Sequence, residues 1–171
     1  MNRLGCTISL AMLCTPAFAA SAIPVVPSKD QAALLKSRDP KLAANKKLVY
    51  DFFRIVLQAR HLDEAEKYMK ADYIQHNPMA DTGIEGFKEF FRKRGGPLPI
   101  ADTLPGLVAI QADGDYVTLS FVREYDDPVN KGQKYTTTWF DMLRIENGKL
   151  AEHWDCQLKV PPAPVTADKK R

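Results

Sequence analysis

Cysteine is scarce in this chain, with three residues among 171, at positions 6, 14 and 156. Excess charge of either sign is scarce as well, since 24 lysines and arginines face 21 aspartates and glutamates. The resulting formal charge of +3 is scattered, so no basic face for nucleic acid is expected. No apolar run reaches the roughly 20 residues that a membrane-spanning helix needs. The stretch from Leu4 to Phe18 comes nearest and is broken by Pro16. Histidine occurs three times, and no HExxH, CxxC or HxH spacing exists, so no metal site is expected. A glycine-rich phosphate loop, a GxSxG elbow and a dinucleotide fingerprint are also missing. Cofactor-free chemistry, or binding alone, is what these absences leave.

What is present is ordinary globular composition, 45% hydrophobic and 26% charged, enough for one cored domain. The N-terminus reads differently from the rest. Arg3 precedes the apolar Leu4–Phe18 stretch, and Ala17-Phe18-Ala19 offers small residues where a signal peptidase reads them. A lipoprotein anchor is disfavoured because bulky Leu13 precedes Cys14. Cleavage is expected after Ala19, with Ala22 as the alternative, which makes the protein secreted or periplasmic with no membrane contact once the signal is removed. Cys6 and Cys14 leave with that segment. Cys156 then remains alone, expected as a small core hydrophobe, and the domain must hold together by packing.

Pro24, Pro27 and Pro40 mark residues 20–41 as a linker, and Pro161, Pro162 and Pro164 make 160–171 a disordered tail. The folded unit is therefore 42–159. Leu48, Val49, Phe52, Phe53, Val56 and Leu57 recur at helical spacing from Asn45 onward. A short helix is expected over Asp63–Lys70, an extended stretch over Tyr73–His76, and a third helix over Ile84–Arg94 that Gly95-Gly96 stops. After Pro105 the period becomes two. Asp113-Gly114-Asp115 and Asn147-Gly148 are hairpin turns, and Tyr135–Ile145 and Leu150–Leu158 are the strands flanking the second. The expected class is α+β: three N-terminal helices packed on a curved antiparallel sheet, a cone with an internal pocket.

Alternation puts Ala151, His153, Asp155 and Gln157 on one strand face, with Glu152, Trp154, Cys156 and Leu158 on the other. Thr137, Trp139 and Asp141 share a face of the preceding strand. If the cone interior receives both polar sets, Asp141, His153 and Asp155 converge among aromatic walls. Burial and a neighbouring carboxylate both favour the protonated form of a carboxyl group, which suits general acid–base chemistry. His76 is a further candidate, able to orient a carbonyl or shuttle a proton. The structural alternatives make Asp141 a satisfied buried acid, His153 with Asp155 an ion pair, and His76 a turn residue. Outward Trp154 and Leu158 suggest a homodimer.

The order of elements, together with Tyr73-Ile74-Gln75-His76-Asn77-Pro78, Gly86-Phe87 and the run from Phe140 to Asp155, resembles the SnoaL-like polyketide-cyclase branch of the nuclear transport factor 2-like superfamily. The likeness covers roughly 45–158. It implies Asp155 as the acid–base residue of ring closure and Asp141 as the acid that helps bind an enolate oxygen, as in ketosteroid isomerases. Asn77 stands where those isomerases carry their base, and Phe53 where they carry a tyrosine, so ketosteroid isomerisation is not expected. The Arg–Asp pair of limonene-epoxide hydrolases is not reproduced either, since Arg144 alternates away from Asp141. The expected function is a cofactor-free lyase or isomerase for a small hydrophobic carbonyl compound. In it His153 tunes Asp155, while Trp139, Asn77 and Phe53 line the substrate pocket. The alternative is a non-catalytic module that holds such a ligand in the same cone.

Overall fold

The computed structural model describes residues 23–159, so the expected signal peptide and tail lie outside the described residues. Four α-helices and five strands follow in the order α1 (Gln31–Leu34), α2 (Pro40–Phe52), α3 (Ala65–Tyr68), β1 (Met69–Gln75), α4 (Ile84–Arg92), β2 (Leu107–Asp113), β3 (Tyr116–Asp126), β4 (Lys134–Glu146) and β5 (Lys149–Asp155). The class is α+β as expected. Part of the stretch read as linker is built into it. α1 forms there, and Gln31 accepts from the Tyr50 hydroxyl at 2.8 Å and donates to the Leu104 carbonyl at 2.7 Å.

α2 starts at Pro40 rather than Asn45. Asp39 caps it, its carboxylate accepting from the Lys41 amide at 2.8 Å, and proline is tolerated in a first turn whose N–H groups have no helical partner. Beyond Phe52 the helix widens into a π turn over Phe53–Gln58, closed by the Ala59 amide on the Arg54 carbonyl at 3.2 Å. Phe52, Phe53, Val56 and Ala59 are all buried there. The second expected helix is shorter than its periodicity suggests. A 3-10 turn at Leu62–Glu64 leads into α3, and β1 already begins at Met69.

The sheet order is β1-β5-β4-β3-β2. Three neighbouring pairs are antiparallel, but β1 lies parallel to β5, with Gln75 opposite His153. Alternation could not report this, because it records faces and not partners. Asn147 and Gly148 both adopt positive φ, the type I′ hairpin that Asn-Gly favours. A bulge follows at once: Arg144 pairs with Glu152 and Ile145 with Leu150, leaving Ala151 as an extra residue. That insertion lets fully buried Leu150 share the inner face with His153. β5 ends at Asp155, short of Leu158, and Cys156 is exposed rather than in the core.

The core lies between the inner sheet face and the helices, with Val49, Val56, Leu107, Val117, Leu119, Leu143 and Leu150 fully buried. α4 closes one side with Phe87, whose ring lies 5.6 Å from that of Phe52. Its first turn sits tightly against the preceding loop. A Cβ added at Gly86 would stand 2.6 Å from the Asp81 carbonyl oxygen, closer than real contacts allow. Alanine would favour the helix by up to about 1 kcal/mol, but forcing backbone apart costs about 1–3 kcal/mol. Gly86→Ala should therefore lower stability in urea titration, whereas Gly96→Ala, with nothing within 4 Å, should leave it within about 0.5 kcal/mol. Equal midpoints for the two variants would contradict this packing.

Candidate functional site

The inner face of β5 points its polar residues into a cavity of about 450 Å³. Asp141, His153 and Asp155 line it with Tyr73, Gln75 and Asn77, while Phe52, Phe53, Phe121 and Trp139 supply aromatic wall. Phe53 and Phe121 stack at 5.6 Å. The expected convergence of the two acids and His153 is thus present. Asp141 sits directly opposite Asp155 across the β4–β5 ladder, and Leu143 opposite His153.

The partners differ from those expected. His153 pairs with Asp141 rather than Asp155, its Nε2 lying 3.1 Å from the Asp141 Oδ1. Its Nδ1 lies 2.8 Å from the Gln75 Oε1. That same oxygen accepts the Asn77 amide N–H at 3.0 Å, which can only donate, so Gln75 presents its carbonyl to the ring. Nδ1 therefore carries hydrogen. The imidazole then faces an acceptor on each side, and one proton must lie between Nε2 and Asp141. The pair is either imidazolium with carboxylate or imidazole with carboxylic acid. Both descriptions hold a single transferable proton in a site where each residue is less than a tenth exposed.

Asp155 is held separately. Asn77 Nδ2 donates to its Oδ2 at 2.6 Å and the Gln157 amide to its Oδ1 at 2.9 Å. The Asn77 amide cannot turn over, because its Oδ1 accepts from Met79 N–H at 2.8 Å. The residue expected to touch substrate thus aims a carboxylate. Beneath the acids lies Tyr73, which sequence reasoning passed over. Burial first, then the charges of Asp155 and Asp141, push its phenol far above the ordinary tyrosine range. It accepts from Gln75 Nε2 at 3.4 Å and keeps its own proton.

His76 is not in the cavity. The strand that carries Gln75 inward carries His76 to the outer side, where its ring stacks on Trp154 at 4.8 Å and Nε2 meets Glu152 at 3.0 Å. Arg144 joins the same outer cluster through Glu152 at 2.8 Å, so its expected separation from Asp141 holds. Hydrogen bonds from Arg144 and then His76 hold Glu152 below the ordinary carboxylate range. The ligand arithmetic also changes. No metal-ligand spacing was found in the sequence, yet Asp141, His153 and Asp155, from two strands, each offer an atom, all within 4.8 Å of one another. Those three could hold a cation, and they are equally the proton-handling set.

A model of the SnoaL-like domain matches residues 49–153, most of the folded chain. The chain belongs to the SnoaL-like domain family. No curated protein matches it in sequence. Among solved structures, a candidate polyketide cyclase from Acidithiobacillus ferrooxidans is 20% identical with a TM-score of 0.50, covering 70% of this chain and 89% of that one. TsrD from Streptomyces laurentii is also 20% identical, with a TM-score of 0.44, covering 70% and 90%. A limonene-epoxide-hydrolase-like epoxide hydrolase from M. tuberculosis is 15% identical, with a TM-score of 0.46, covering 66% and 80%. At 20% identity the Acidithiobacillus ferrooxidans structure shows a likeness of fold alone, and the chemistry of the SnoaL-like protein rests on its own residues.

The proton bookkeeping at His153 is measurable. Long-range proton–nitrogen NMR should show that Nδ1 of His153 carries hydrogen in the folded protein. Gln75→Leu should free the ring from that tautomer. A deprotonated Nδ1 in the native protein would contradict the arrangement.

Proposed function

We propose that this SnoaL-like protein is a cofactor-independent acid–base enzyme acting on a small apolar carbonyl compound, in an aldol-type cyclisation, an isomerisation or an elimination. One observation carries the reading: the Asp141–His153 pair, within hydrogen-bond distance at 3.1 Å, stands beside a separately oriented Asp155 in an aromatic-walled cavity. In this reading Asp155 removes a proton from the carbon next to the carbonyl. The C–H electron pair moves into the carbonyl, and the oxygen takes the proton held between Asp141 and His153. Asp155 later returns its proton to the product or to a leaving group, and the pair recovers its own. Phe52, Phe53, Phe121 and Trp139 keep bulk water from the enolate. The description of the Acidithiobacillus ferrooxidans neighbour as a candidate polyketide cyclase agrees with that reaction class by analogy of fold.

The test follows deuterium incorporation beside the carbonyl of aryl ketones such as phenylacetone in heavy water, with and without a chelator. The native protein should accelerate exchange equally in both. Asp155→Asn should slow it by about a hundredfold or more while ligand affinity stays within about twofold. Undiminished exchange in that variant removes the base assignment, and binding with no exchange leaves a carrier of the same ligand. Dependence on a metal would instead assign the three cavity residues to a cation.

The reading includes export, supported by the layout of Arg3, the apolar stretch and Ala17-Phe18-Ala19. Mass spectrometry of the protein recovered outside the cytoplasm should find Ala20 as the first residue. It also includes pairing of two copies through the outer sheet face, where Ile74 and Phe140 stay exposed.

A further inference from the structure

The acids occupy one part of the cavity wall, and two arginines occupy another. Arg94, just beyond α4, and Arg123, on β3, both line the same hollow. Arg94 lies over the rings of Phe90 and Phe91, at 4.6 and 4.8 Å from their centroids. Arg123 lies over Trp139 at 5.4 Å. Neither guanidinium has a carboxylate within 4 Å or a side-chain hydrogen bond among the described residues. Arg144 and Arg92, by contrast, each meet a glutamate. A guanidinium resting on an aromatic face keeps its edge N–H groups free, and that edge is the part that matches a carboxylate. Elsewhere in the same lining stand the acids, where the Asp155 carboxylate repels an anion and the Asp141–His153 pair offers it no compensating charge. A ligand with a charged end can therefore enter in one orientation only.

We propose that the ligand of this cavity carries a carboxylate, held by Arg94 and Arg123, with an apolar body between that group and the carbon presented to Asp155. The anion site deepens the acid–base reading and rests on it for which end reacts. It does not need that reaction in order to bind. Substrate selection is then electrostatic at the arginines and hydrophobic along the walls, and the arginines are positioning residues.

The probes are 2-naphthylacetate and its methyl ester, which share an apolar body and differ in charge. Calorimetric titration of the native protein should find the carboxylate roughly tenfold tighter, with the advantage shrinking in salt because the arginines are exposed. In Arg94→Gln/Arg123→Gln, shown folded by circular dichroism, the two probes should bind within about twofold of each other. Asp155→Asn should keep the preference for the carboxylate. Equal affinities in the native protein, a preference that survives loss of both arginines, or failure of both probes to bind would each overturn the proposal. If the preference is present and proton exchange is absent in every variant, the anion site stands and the acid–base reading falls. Exchange without any preference for the anion gives the reverse result.

Discussion

The hydrogen bond between His153 and Gln75 depends on β1 lying parallel to β5, and most of the site depends on that hydrogen bond. With Gln75 opposite His153, the ring donates from Nδ1 and turns Nε2 toward Asp141. Two residues on, Asn77 then reaches Asp155. A slip of one residue would exchange Gln75 for His76 at the inner face and place a second imidazole, with no fixed acceptor, beside the first. Histidine orientation is set by what the far nitrogen touches, and here that contact comes from an edge strand.

The same pairing keeps two histidines in opposite surroundings. His153 lies inside, bound to neutral amide and carboxyl groups. His76 lies outside, stacked on Trp154 and bound to a glutamate that Arg144 already holds in its charged form. A glutamate whose acidity is increased by folding adds stability above its unfolded titration range and gives it up as the pH falls through its folded one. The outer cluster therefore belongs to the acid side of the stability profile. The inner pair belongs to proton transfer.

Aromatic residues do two jobs around the cavity. Phe52, Phe53 and Phe121 exclude water, which strengthens every charge inside. Phe90, Phe91 and Trp139 present faces on which arginines rest. The π turn after α2 brings Phe53 and Leu57 to the same wall. Acids and arginines thus line one hollow without a direct ion pair between them, the acids at its shielded part and the arginines where solvent reaches.

Much of this was legible in the chain. The period-two runs, the Asn-Gly turn and the polar alternation of His153 and Asp155 determine strands, hairpin and an inner face, because each is a local consequence of side-chain direction. The placement of Asp141 and Trp139 on the matching face of β4 follows from the same rule and from the short hairpin that joins the strands. The start of α2 at Pro40 and the docking of Gln31 were not legible, since a proline signals a first turn and a linker alike. Nor was the partner of His153. It is a glutamine 78 residues away, brought alongside by a parallel pairing that leaves no periodic mark in either strand. The arginines belong to the same class: their charge is plain in the sequence, but only packing shows that they share a cavity and meet no carboxylate among the described residues. Local geometry determined the faces; the long-range register decided which atoms meet.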